Sequence, residues 1–186
     1  MNNNQIIPGS IGAVAQQNNQ SIAETFMNAD VIILVDTSGS MDQHDSRDNR
    51  SRYEVACEEL KNLQAHLPGK LALLSFSSDV LFCPNGIPFN YQGMTDLAKA
   101  LKFAKMADIK GIRFIVISDG EPDSESQALD VAKTYKARID TIYVGPEGGD
   151  GEAFLRKLAK ASGGQGVTAA KVKELAGAVE KLLLTG

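Results

Sequence analysis

Three oxygen-bearing side chains, Asp36, Ser38 and Ser40, occupy alternate positions in the stretch DTSGSM at 36–41. Two more stand far along the chain, Thr95 in GMTDL and Asp119 in ISDGEP. Carboxylates and hydroxyls without an accompanying imidazole or thiolate are hard donors, and hard donors suit a hard cation. A set with only two carboxylates leaves room for water, which favours Mg2+ over a many-oxygen Ca2+ cage, with Mn2+ or Ca2+ as substitutes. Because the other donors are neutral hydroxyls, an ion held there would stay electrophilic at any open position. A capped turn is the competing reading of Asp36, Ser38 and Ser40, and a helix N-cap that of Thr95. Capping alone does not ask for three alternating oxygens with partners elsewhere in the chain.

Such a site needs elements that bring positions 36, 95 and 119 together. Apolar strand-like runs occur at 31–35, 71–76, 80–82, 114–117 and 141–144, with a weaker one at 166–168. Helical periodicity lies between most of them: Ala56, Leu60, Leu63 and Leu67; Leu97, Leu101 and Ala104; Leu129, Ala132 and Tyr135; Phe154, Leu158 and Ala161; and, last, Val172, Leu175, Val179, Leu182 and Leu183. Capping boxes are expected at Ser21 with Glu24, Ser51 with Glu54, and Ser124 with Gln127. Continuous rather than alternating apolar strands mean that helices cover both sheet faces, which is the doubly wound, Rossmann-like α/β architecture. The short link Ser77-Ser78-Asp79 fits a hairpin and puts one antiparallel strand at the sheet edge. In an open sheet of this kind ligands bind beyond the carboxyl ends of the strands, where the winding reverses. Asp36 closes the first strand and Asp119 closes RFIVIS, so neighbouring strands at the reversal would face the two carboxylates across one crevice.

These residues resemble the metal-ion-dependent adhesion site of von Willebrand factor A (VWA) domains, and the order of strands and helices from about residue 29 onward is similar too. The resemblance implies a mostly parallel six-stranded sheet with one antiparallel edge strand, helices on both faces, and a divalent ion at its top. It implies that Ser38 and Ser40 bind the metal directly, that Thr95 does so in the ligand-ready state, and that Asp36 and Asp119 act directly or through water. The remaining ligand would be a Glu or Asp of a protein partner, with an AAA-type ATPase or a regulatory complex as candidates.

Bulk properties narrow the classes. The 186 residues, 43% hydrophobic, suit one core. We expect a flexible Asn- and Gln-rich tail over 1–20 and a single VWA domain over 21–186. A net charge of -4 offers no general attraction to nucleic acid or anionic membrane. No apolar stretch is long enough to span a bilayer, the start lacks a basic and an apolar signal segment, and two scattered cysteines fit a reducing compartment, so a cytoplasmic location is expected.

Glu121 and Asp123 raise an alternative, a Mg2+-dependent phosphatase or nuclease using an acid cluster. No phosphate loop, nucleophile elbow or dinucleotide fingerprint accompanies them, and they read as solvated loop acids, so the chain is expected not to be an enzyme. His44 lies in DQHDSRDNRSR, a block of mixed charge that reads as exposed; its Arg47, Arg50 and Arg52 would attract a partner's carboxylate. His66 is read as a helix-end residue without further role, and Cys57 and Cys83 as small packed side chains.

Overall fold

The run VIILVD is rich in branched aliphatic side chains and buried along its whole length, and it forms the central strand β1 (Val31–Asp36). Around it lie β2 (Leu71–Phe76), β3 (Val80–Phe82), β4 (Arg113–Ser118), β5 (Ile139–Tyr143) and β6 (Gly166–Thr168). The helices are α1 (Ile11–Asn18), α2 (Ile22–Phe26), α3 (Arg52–His66), α4 (Leu97–Ala104), α5 (Glu125–Ala132) and α6 (Asp150–Ala161). This computed structural model describes residues 5–45, 47–89, 93–109, 111–146 and 148–168. The helix expected near 172–183 lies outside the described residues.

The sheet order is β3-β2-β1-β4-β5-β6, parallel throughout except for the antiparallel β2–β3 pair. β1 pairs with β2 on one side and β4 on the other, so the winding reverses at β1. Side-chain alternation divides the core. Ile32, Leu34, Phe114 and Val116 pack with Leu97, Leu101, Phe154 and Leu158 of α4 and α6, whereas Ile33, Val35, Ile115 and Ile117 pack with Val55, Leu60 and Leu63 of α3. The boxes at Ser21–Glu24 and Ser51–Glu54 form reciprocally, and Ser124 accepts the Gln127 N–H.

Three local expectations are revised. β5 begins at Ile139, ahead of the apolar run, because Asp140 has a use inside the sheet: its Oδ1 accepts the Gln165 N–H at 2.8 Å. α5 stops at Ala132, and Tyr135 beyond it donates its hydroxyl to the Leu101 carbonyl at 2.5 Å and stacks edge-on against Phe114. Residues 11–18, expected within a flexible tail, form α1, with Ile11 only 1% exposed. The cause is Ile11 and Ala15, one helical turn apart on α1, with Ile7 buried just ahead of the turn that leads into it, all hidden among the Asn and Gln residues. The segment is also held by its backbone, since Ile7 N–H donates to Asn85 O at 3.0 Å, Gly12 N–H to Pro84 O at 2.8 Å, and Gly69 N–H to Gly9 O at 2.8 Å.

Candidate metal centre

Asp36 is the last residue of β1 and is completely buried. The chain beyond it is pinned at alternate positions: Thr37 bonds the Phe76 carbonyl of β2 through both its N–H (2.9 Å) and its hydroxyl (3.0 Å), and Met41 is buried. Those anchors leave Ser38 and Ser40 as a pair, their hydroxyl oxygens 3.1 Å apart. The Asp36 carboxylate accepts the Ser38 N–H on Oδ1 at 2.9 Å and the Ser118 hydroxyl on Oδ2 at 2.6 Å. Ser118 in turn accepts the Gly120 N–H at 2.9 Å, so one hydroxyl ties the ends of β1 and β4 together.

Asp119 follows β4 and is also buried. Burial, and then the neighbouring charge of Asp119, push the Asp36 carboxyl up to about 6 against the hydrogen bonds from Ser118 and Ser38 that favour its ionised form. A buried carboxylate whose ionised form is opposed by burial and by a second acid in this way is a place where positive charge is stabilising.

The third loop reaches the site through backbone clamps. Gly39 N–H donates to Gly93 O at 3.3 Å; Thr95 N–H donates to Asp123 Oδ1 at 2.9 Å, and Asp123 N–H returns to Thr95 O at 3.0 Å. Thr95 is not the N-cap of α4. Asp96 takes that role, accepting the Lys99 N–H at 2.9 Å, which leaves the Thr95 hydroxyl free of capping. Asp123, although exposed, is therefore a positioning residue for Thr95 rather than only a solvated acid. The structure thus gathers the loops carrying Asp36, Ser38, Ser40, Thr95 and Asp119.

Arg52 is the residue that sequence reasoning misplaced. It was expected on an exposed, partner-facing loop, but it is the first residue of α3, 4% exposed, and donates to Asp119 Oδ2 at 2.8 Å. Its Nε and one terminal nitrogen grip Asp45 at 2.8 and 2.6 Å, and that nitrogen also reaches Gln43 Oε1 at 2.9 Å. The Asp45 and Asp119 carboxylates hold the guanidinium above its usual pKa, while Arg52 holds Asp45 below its own. The signal was present: the Ser51–Glu54 box fixes residue 52 in the first helical turn beside the strand ends. Arg50 pairs instead with Glu58, and His44 is exposed with Nδ1 3.3 Å from Asn49 O. The Arg47 side chain lies outside the described residues.

The donors fit a hard divalent ion in kind, with two carboxylates and the Ser38, Ser40 and Thr95 hydroxyls on loops that backbone bonds hold together. Among the described residues no group of three or more His, Cys, Asp or Glu is placed to hold a metal, so an ion at this point depends on the hydroxyls as well as the acids.

No protein-family model matches the chain, and no curated protein sequence does either. Solved structures do. An aerotolerance-related membrane protein from Bacteroides fragilis is similar with a TM-score of 0.66 at 18% identity, over 84% of this chain and 98% of that one. A manganese-loaded TRAP protein from Plasmodium vivax is similar with a TM-score of 0.52 at 21% identity, over 72% of this chain and 63% of that one. A von Willebrand factor type A protein from Catenulispora acidiphila has a TM-score of 0.55 at 19% identity, over 78% of this chain and 40% of that one. This chain therefore spans less than two thirds of the latter two. With its winding reversal at β1 and its single antiparallel edge, the chain has the von Willebrand factor A fold.

Proposed function

We propose that the chain is a divalent-metal-dependent protein-interaction module, whose Asp36, Ser38, Ser40, Thr95 and Asp119 form a metal-ion-dependent adhesion site. The observation that carries this reading is the buried Asp36 facing Asp119 beside the paired Ser38 and Ser40 hydroxyls, an arrangement that calls for positive charge. Mg2+ is the ion the hard donors suit best, with Mn2+ or Ca2+ able to replace it; the manganese in the similar Plasmodium protein supports a divalent ion. The partner presents a Glu or Asp to the open position. Met94, next to Thr95 and 64% exposed, offers an apolar contact beside it. An AAA-type ATPase or a regulatory complex would supply such a partner.

Phosphatase or nuclease chemistry needs a base or nucleophile beside the metal. His44, the nearest candidate by sequence, is exposed on the loop and held to the Asn49 carbonyl, which favours binding over turnover. No helix among the described residues is long and apolar enough to cross a membrane. The free thiols of Cys57 and Cys83 suit the cytoplasm.

Calorimetric titration with Mg2+ and Mn2+, followed by capture from native extract with and without EDTA, tests the proposal. Absence of ion binding, or capture indifferent to EDTA, would remove it. Within that experiment Thr95→Ala is expected to keep measurable ion binding, because both carboxylates and both serines remain, yet to lose most EDTA-sensitive capture. Equal capture by Thr95→Ala and wild type at saturating Mg2+ would show that the partner does not read this side of the site.

A further inference from the structure

We propose that Arg52 is the resident counter-cation of the centre, holding Asp119 in the metal-free protein and lowering the affinity of the site for a divalent ion. The inference rests on the metal reading above but concerns a residue outside the adhesion-site pattern. Its basis is geometric. The guanidinium is almost fully buried and is shared between the end of β4, through Asp119 at 2.8 Å, and the 42–51 loop, through Asp45 and Gln43. Glu121 lies 3.6 Å from the same nitrogen that holds Asp119. A fork placed among these acceptors is fixed in position, which a lysine with a single ammonium would not reproduce.

Charge then decides the consequence. Asp36 and Asp119 together offer an incoming ion two negative charges when ionised, and Arg52 cancels one of them at contact distance from Asp119. Both Asp119 oxygens already accept a hydrogen bond, Oδ2 from Arg52 and Oδ1 from the Glu121 N–H at 3.3 Å. The ion and the guanidinium therefore compete for the same carboxylate. In a partly buried site, removal of a full positive charge within a few ångströms changes an ion's binding by about tenfold or more.

The test is titration of Mn2+ alone into the full chain, with free ion followed by paramagnetic resonance, for wild type, Arg52→Met and Asp45→Asn. Arg52→Met keeps an unbranched apolar stem out to about the Nε position and removes the charged guanidinium, and the start of α3 is held independently by Ser51 and Glu54. It is expected to bind Mn2+ about tenfold or more tightly than wild type. Asp45→Asn, which removes a negative charge and leaves Arg52 to Asp119, is expected to bind about threefold or more weakly. A purely structural role for Arg52 would weaken binding in both variants, so the opposite signs distinguish the two.

Arg52→Met that is folded by circular dichroism and binds Mn2+ no more tightly than wild type overturns the proposal. If that variant does not fold, Arg52→Gln, which keeps a hydrogen-bonding amide without the charge, decides: binding tighter than wild type supports the proposal, and binding equal to or weaker than wild type overturns it. Absence of Mn2+ binding in every protein would instead remove the metal reading itself.

Discussion

Asp36→Asn is expected to melt at a higher temperature than wild type in EDTA near about pH 7, and to show no further rise when Mn2+ is added. The substitution preserves shape. The amide oxygen can still accept the Ser38 N–H, and the amide nitrogen can donate to the Ser118 oxygen in place of the present bond. What disappears is a charge. With the carboxyl raised from 3.8 to about 6 in the folded protein, its ionised form opposes folding. The sign follows from proton binding. Between about pH 4 and pH 6 the folded state holds more of this proton than the unfolded one, so stability falls as pH rises through that window, and the penalty is complete above it. The shift corresponds to about 3 kcal/mol, or a rise of roughly 5 °C or more in melting temperature for a domain of this size. Wild type alone should recover part of that difference on acidification, or on adding an ion whose charge offsets that of Asp36. Thermal melts with EDTA and with Mn2+ at two pH values check both halves. A variant melting at or below wild type in EDTA would refute the strain at Asp36, and a Mn2+ response equal to that of wild type would place the ion elsewhere.

Gly151→Ala should be the most damaging conservative change near the site, although alanine in a helix is ordinarily the better residue by about 1 kcal/mol. Gly151 lies in the first turn of α6, against the peptide that follows β4. A Cβ there would sit 1.9 Å from the Asp119 carbonyl oxygen and 3.1 Å from the Gly120 carbonyl carbon. Gly120 opposes it at a φ of +75°, where a Cβ of its own would meet the Gly151 carbonyl oxygen at 2.2 Å. Both obstacles are backbone and cannot rotate away. The helix must therefore retreat or the Asp119 loop must move, at a cost of about 2–4 kcal/mol and with a loss of Mn2+ affinity of about tenfold or more. Urea midpoints and ion titration measure the two effects. A midpoint unchanged from wild type would mean that α6 does not hold Asp119 in place.

Features that depend on near neighbours in sequence were legible before the structure: the apolar run at 31–35, the capping boxes at Ser21 and Ser51, and the edge hairpin at 77–79 each state their geometry locally. The meeting of Asp36 and Asp119 was legible for a different reason, since both acids close buried strands and the winding rules bring such strand ends together. Arg52 was not. The Ser51–Glu54 box places residue 52 in the first turn of α3, but nothing in DQHDSRDNRSR names the acceptor toward which its guanidinium turns, because Asp119 is 67 residues away. Thr95 and Asp96 are adjacent polar residues of which either could cap α4, and only the helix start decides between them. In the first twenty residues the abundance of amides obscured Ile11 and Ala15, whose helical spacing was the better guide than composition.

That N-terminal segment also bears on how the protein behaves in a crowded solution. β3 is a three-residue edge strand, and an unprotected edge is a template on which another chain can add. The carbonyls just past it, on Pro84 and Asn85, are taken by Gly12 and Ile7, so the chain's own beginning closes the continuation of that edge. A chain lacking residues 1–20 would present those carbonyls, together with the apolar surface Ile11 now covers, to its neighbours. It is expected to keep its circular dichroism spectrum at high dilution yet scatter more light than the full chain as concentration rises. Equal scattering at every concentration would show that the segment is not what keeps copies of this protein apart.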